Sequence, residues 1–269
     1  MNKYKNIAFL ILATFFIISC QPPQPKKEVK PAVKHNYIIL LDLSDRLIVQ
    51  ENQPERDKEI IMSIYNIFKE KVKKELYIRS RDEIKVVIAP QKGDKIKKEV
   101  FEDRLYINME NIPTVLKSKK EKERTAAFKA NLDTLYEQSV YSKVPSQYYG
   151  ADIWQYFYED LQTDYVDEDN TKNFLFILTD GYPIVGKNKE KLQPIKNTFP
   201  DLNVILIEAA PREKDMEWDK IMDLWAEWFT EINIEKYTLI KRMAITKEID
   251  QIKDIVFAEE KEEKNVSEE

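Results

Sequence analysis

Apolar residues in this chain come in two arrangements, short unbroken runs and longer series spaced three and four apart. The runs are Tyr37-Ile38-Ile39-Leu40-Leu41, Val86-Val87-Ile88 within Ile84–Ala89, Phe174-Leu175-Phe176-Ile177-Leu178, and Val204-Ile205-Leu206-Ile207. Runs of this length predict strands buried on both faces, as in the interior of a parallel sheet. The spaced series are Ile60, Ile61, Ile64, Ile67, Phe68, Val72 and Leu76; Phe128, Leu132, Leu135 and Tyr136; and Trp218, Ile221, Met222, Trp225, Trp228, Phe229 and Ile232. Each predicts a helix with one apolar face. Strands and helices alternate, so the chain is expected to be α/β: a doubly wound, mostly parallel sheet with helices on both faces.

Punctuation refines the elements. Pro54 falls in the first turn of the helix after the opening strand, and Pro113 opens a long charged helix over 114–142,. A turn at Gly93 and a strand around 104–109 come between them. A helix from Ala151 to about Leu161 precedes an acidic loop, Asp164 to Asn170, whose glycine and glutamate offsets do not fit a calcium loop,. After the Phe174 run come a turn with Pro183 and Gly186 and a helix near 189–197. An edge strand at 237–240 and a final helix over 246–257 complete the domain. The lysine run at 117–122 is interrupted by acids and reads as solvated surface. The tryptophans share one helical face and read as core.

The amino terminus has a different pattern. Lys3 and Lys5 precede a twelve-residue apolar run, Ile7–Ile18, the length of a signal-peptide core and too short to span a bilayer,. Ile17-Ile18-Ser19-Cys20 closes it, and this resembles a bacterial lipobox, in which the cysteine is lipidated and becomes the first residue. The resemblance implies a lipoprotein held in the cell envelope through Cys20, and Gln21 after the cysteine implies the outer membrane. Residues 1–19 are then the signal peptide, and 20–35, rich in proline and lysine, an extended tether,. The folded domain is expected over 36–258, with 259–269 a charged, disordered tail.

Composition narrows the chemistry. Cys20 is the only cysteine of 269 residues, which leaves no disulfide and no cysteine-based metal site,. The formal net charge is −5, and removal of Lys3 and Lys5 with the leader makes the chain more acidic. That argues against nucleic-acid binding.

Two of the buried runs end in acids: Asp42-Leu43-Ser44 after the first, Thr179-Asp180-Gly181 after the third. In a doubly wound sheet, ligands bind outside the carboxyl ends of strands where the strand order reverses. If those two strands are neighbours there, Asp42, Ser44 and Asp180 converge, and the loop entering the Trp154 helix adds Asp152. Carboxylates and a hydroxyl without histidine or cysteine suit a hard cation, Mg²⁺ above all. Arg46 admits the opposite reading, a guanidinium that neutralises the acids in place of a metal.

These motifs and the order of elements over 37–257 resemble the von Willebrand factor type A domain. Its metal-ion-dependent adhesion site uses Asp-x-Ser-x-Ser after the first strand, a loop threonine, and an aspartate after the fourth strand. Asp42-Leu43-Ser44 and Thr179-Asp180-Gly181 match. Arg46 stands at the third position, and Gly150-Ala151-Asp152 at the place of the loop threonine. The resemblance implies a three-layer domain that binds a protein partner through a degenerate metal site, without catalysis. Arg46, Tyr148, Tyr149 and Tyr182 are the expected rim for that partner. Two other classes remain open at this point: a Mg²⁺-dependent phosphoryl-transfer hydrolase, and a structural envelope lipoprotein with no metal. A Ser-His-Asp hydrolase is poorly served, because the sole histidine, His35, precedes the first strand,.

Overall fold

The structure is a computed structural model that describes residues 33–91, 95–144, 147, 149–181, 195–196, 198–209 and 218–267. The signal peptide, Cys20, most of the tether, the turns at Gly93 and Gly186, nearly all of 189–197, Tyr148 and Tyr182 lie outside the described residues.

Six strands form one sheet: β1 (Lys34–Leu41), β2 (Glu83–Ile88), β3 (Tyr106–Asn108), β4 (Thr171–Leu178), β5 (Leu202–Ala209) and β6 (Lys236–Lys241). Their order is β3-β2-β1-β4-β5-β6. All neighbours are parallel except β2 and β3, where the short edge strand returns antiparallel. This is the doubly wound α/β fold expected from the alternation of strands and helices.

Alternate residues of a strand point to opposite faces, so a strand buried on both sides needs two cores. Tyr37, Ile39 and Leu41 join one core with Phe174, Phe176 and Leu178. Helix α2 (Gln53–Lys74) brings Ile60, Ile64 and Phe68 to it, and α4 (Lys117–Tyr141) brings Phe128, Leu132 and Leu135. Helix α8 (Ile245–Ser267) adds Ile252 and Val256. Ile38, Leu40, Leu175 and Ile177 join the second core. There they meet α5 (Ile153–Glu159), α6 (Leu161–Asp164) and α7 (Trp218–Glu231). Trp225 and Trp228 are buried in this core, as their spacing indicated, and Trp228 packs edge-on against Phe157 at 4.9 Å between ring centroids. Two further helices among the described residues are short, α1 (Arg46–Val49) and α3 (Lys98–Arg104).

Four expectations need correction. β1 begins at Lys34, not Tyr37, because the Lys34 backbone N–H donates to the Asn170 carbonyl and that of His35 to the Asp82 carboxylate. His35 therefore lies within the strand, at the amino edge of the sheet. The strand expected at 104–109 is preceded by α3, which ends at Arg104. Leu76 does not continue the apolar face of α2: the helix stops at Lys74 and Leu76 is 69% exposed. Finally, α8 runs to Ser267 rather than ending near Phe257. Residues 258–264 are alanine, glutamate and lysine, strong helix formers that continue a helix already nucleated by its packed first half,.

Candidate site at the carboxyl edge

β1 and β4 lie side by side in register, Leu41 opposite Leu178, and this is where the strand order reverses. Asp42, Ser44, Thr179 and Asp180 therefore leave the sheet together, all of them buried. The Asp42 backbone N–H still donates to Leu178 (3.0 Å), which carries the pairing one residue past the strand. Its side chain then closes the turn. Oδ1 accepts the Ser44 N–H at 2.9 Å, and Oδ2 accepts the Thr179 hydroxyl at 2.8 Å. The first is an aspartate turn within one loop; the second joins two loops 137 residues apart in sequence,. Thr179 Oγ1 in turn accepts the Gly181 N–H (3.3 Å), and Gly181 takes a positive φ of 99° that suits glycine,.

Arg46 is not at the rim. Its side chain is 0% exposed and runs beneath the edge. Nε donates to the Asp42 carbonyl at 2.7 Å and Nη2 to the Leu178 carbonyl at 3.2 Å, so one guanidinium ties the last turns of both strands. The remaining hydrogens meet Asp57 of α2 in a fork, at 2.6 and 3.3 Å. Burial opposes the charge on Arg46. The carboxylates of Asp57 and Asp42, with Tyr136 and Asp180, outweigh it and hold the guanidinium pKa above its ordinary value. Asp57 is pushed up by burial, against the pull of Arg46 and of the Gln53 amide at 2.8 Å. Tyr136 donates to it as well, at 3.0 Å.

Asp152 and Tyr149 also differ from expectation. Asp152 does reach the carboxyl edge, where its N–H donates to Pro90 just past β2. Its carboxylate caps α5 instead, accepting the Gln155 N–H at 2.8 Å,. Burial pushes that carboxyl up, with the Gln155 bond opposing. Tyr149 is buried rather than on a rim: its hydroxyl donates to Gln147, accepts the Val144 N–H, and its carbonyl accepts the Asp45 N–H. A tyrosine with its ring covered and its hydroxyl satisfied is part of the loop's own packing.

Which of these residues suit a Mg²⁺ ion follows from what their oxygens already do. Among the described residues, no three carboxylate, imidazole or thiolate side chains gather into one metal cage. Asp42 and Ser44 of the first loop and Asp180 of the second share the buried end of the two strands. Each Asp42 oxygen accepts one bond and keeps a lone pair,. Asp57 takes the bidentate share of the Arg46 charge, and Asp42 the rest, its Oδ2 lying 3.8 Å from Arg46 Nε. One or two carboxylates plus water is the usual protein share of a Mg²⁺ shell. The residues present fit such a sparse site; they do not fit the four-ligand set that includes Asp152.

Three contributors escaped the sequence reading. Thr179 was legible only as part of a motif. Asp57 had a signal: it stands on the same helical stripe as Ile61, Ile64 and Phe68, and a carboxylate on a buried stripe calls for a cation,. Trp225 had none. Its indole N–H donates to the Gly181 carbonyl at 2.9 Å, anchoring the loop after Asp180 to α7.

A second buried charge cluster lies at the exit of β5. Glu208, with a positive φ of 68°, accepts from Arg56 at 2.5 and 2.9 Å and from Gln53 at 3.1 Å. Arg56 also reaches Glu248 of α8 at 3.0 Å, and Arg242 lies 3.5 Å from Glu208. Burial and the neighbouring Glu208 push Glu248 up to about 8, while the Met243 N–H and Arg56 pull it down. Burial also opposes the charge of Glu208, but hydrogen bonds from Arg56, Glu248 and Gln53 hold it below the usual carboxylate range. The two shifts run in opposite directions, Glu248 up and Glu208 down, as two carboxylates in one site require,.

No family model and no curated protein matches the chain. Solved structures similar to it at low identity include the following two. An aerotolerance-related membrane protein from Bacteroides fragilis is 14% identical with a TM-score of 0.39, the alignment covering 83% of this chain and 98% of that one. Proximal thread matrix protein 1 from the mussel byssus is 12% identical with a TM-score of 0.36, over 84% of this chain and 47% of that one.

Proposed function

We propose that this is a lipid-anchored binding module of the bacterial cell envelope, not an enzyme. Its carboxyl edge takes a protein partner through Asp42, Ser44 and Asp180, with Mg²⁺ completing its shell from water and from an acidic group of the partner. Anchoring is through lipid on Cys20, placing the domain at the outer membrane. Among the described residues no helix is long and apolar enough to cross a membrane, which accords with a lipid anchor.

The observation that carries the reading is the preorganised acidic pair. Arg46 and Thr179 tie the β1 and β4 ends together from below and across, so Asp42 and Asp180 are held at the switch point, with Arg46 Nε 3.8 Å from Asp42 Oδ2. His35 lies at the opposite edge, bonded to Asp82, so it supplies no base to Ser44. An edge of this kind offers ligands and orientation rather than proton transfer.

The test is thermal unfolding with and without Mg²⁺. Wild type should be stabilised by millimolar Mg²⁺, as any ligand that binds only the folded state requires. Asp180→Ala should lose that shift while unfolding near the wild-type temperature in its absence. Equal Mg²⁺ shifts in both proteins would remove the metal from this edge. Phosphatase turnover that disappears in Asp42→Asn would replace the binding reading by a hydrolytic one.

A further inference from the structure

The end of the sheet opposite the candidate site has its own surface. Leu76 is 69% exposed, Ile78 59%, Val115 91% and Leu116 38%. The two pairs come from different segments, the turn after α2 and the one-turn 3₁₀ helix Thr114–Leu116 that precedes α4. Lys117 joins them: its ammonium donates to the Ile78 carbonyl at 3.3 Å and the Ser80 carbonyl at 2.8 Å. The turn holds its shape at a cost. Leu76 and Tyr77 both take left-handed backbone angles, φ 52° and 58°, where neither residue is favoured,. Strain that keeps an apolar side chain in water is the kind of outlier that calls for a function.

Charge around this patch runs against the rest of the molecule. Segments 73–81 and 114–124 hold nine basic and three acidic residues, in a chain whose formal net charge is −5. Lys73, Lys74, Arg79, Lys119 and Lys120 are exposed. Of the three acids, Glu121 is buried against Lys69, and Glu123 faces Lys119 and Lys120. Glu110 and Glu168, which border the patch, are engaged by Arg81.

The chain also arrives here. β1 starts at Lys34, whose ammonium lies 3.3 Å from Glu83 and 3.6 Å from Glu110, beside the segment that leads to Thr114. Thirteen residues separate Cys20 from Lys34. At about 3.1 Å per residue that is a reach of about 40 Å at full extension.

We propose that this amino edge is a membrane-contact face. Leu76, Ile78, Val115 and Leu116 seat among the headgroups of the bilayer that holds the chain, and the surrounding lysines and arginines bind its anionic lipids. The proposal rests on lipidation at Cys20. It turns the lysine run, read from sequence as solvated surface, into the electrostatic part of a docking face, and it points the carboxyl edge away from the membrane.

The test uses the full lipidated chain. Acylated Cys20 leaves no free thiol, so Val115→Cys or Ile78→Cys introduces one site for an environment-sensitive fluorophore. Val49→Cys, on α1 at the carboxyl edge and 57% exposed, is the control. In vesicles of phosphatidylcholine with phosphatidylglycerol, acrylamide quenching of the 115 and 78 probes should fall about threefold or more below that of the 49 probe, as headgroup burial requires. Phosphatidylcholine alone, or Lys119→Glu/Lys120→Glu, should restore much of the quenching. Vesicle-bound protein whose 115 and 49 probes are quenched alike overturns the proposal. So does shielding that depends on protein density rather than on anionic lipid, which marks a second copy as the occupant. A chain that stays off vesicles with unmodified Cys20 overturns the anchoring reading, and this proposal with it.

Discussion

A single side chain, Arg46, settles how the candidate site is built. Read from sequence, it stood two residues from Ser44 and was expected either in the metal's place or on the rim. The turn that Asp42 closes sends it inward instead, where Asp57 waits on α2 and the Asp42 and Leu178 carbonyls accept its hydrogens. Removing one partner of a buried pair leaves an uncompensated charge, so Arg46→Ala should cost about 3–5 kcal/mol of stability. Arg46→Lys should recover little, since an ammonium cannot supply the fork and both carbonyl bonds from one plane. Arg46→Met with Asp57→Leu should recover most of the loss, because apolar side chains of similar volume remove the charge problem. Urea unfolding midpoints at unchanged slope would measure all three. A double variant no more stable than Arg46→Ala would mean that the carbonyl bonds, not the ion pair, hold the edge.

Elements were more legible than the side chains between them. Four apolar runs became β1, β2, β4 and β5, with the starts of β1 and β4 three residues earlier than the runs and the other ends closer, because burial on both faces marks a strand clearly,. Asp42, Ser44 and Asp180 followed, since residues just past neighbouring strands must meet. What stayed hidden depends on contacts distant in sequence: Asp152 turned to its own helix, Tyr149 packed into its loop, and Trp225 reached across from α7 to Gly181. No periodicity distinguishes Trp225 from Trp228, yet it is the Trp225 indole N–H that meets the Gly181 carbonyl. Trp225→Phe keeps the ring in the core and deletes that bond. It should cost about 1 kcal/mol. Hydrogen exchange should show the larger effect locally, with the Gly181 amide losing protection while the β4 amides keep theirs. Protection lost evenly along β4 would make Trp225 a core residue with no special tie to the loop.

At the scale of the molecule, the two ends of the sheet differ: the carboxyl edge buries Asp42 and Asp180, and the amino edge sets a patch of exposed leucine, isoleucine and valine among lysines and arginines, beside the acidic loop that enters β4. The charge cluster at the exit of β5 fastens the carboxyl end by joining α2, β5, the segment after β6, and α8 through Arg56, Glu208, Arg242 and Glu248. Its titration has a definite sign. Glu248 in the folded protein has a pKa of about 8, above the value of 4.5 expected when exposed. Between those values the folded state binds a proton that the unfolded state has released, so stability falls as pH rises. The contribution is full below about pH 4.5 and lost as pH passes 8. Glu208, held down by Arg56, acts the other way and at lower pH, where its loss begins only on acidification. Wild type should therefore lose melting temperature steadily from pH 5 to pH 8, with α8 the first element to loosen. Glu248→Gln keeps a donor toward Glu208 without a titrating proton, so its profile over that interval should be markedly flatter. Parallel profiles for the two proteins would place the titrating proton somewhere other than on Glu248.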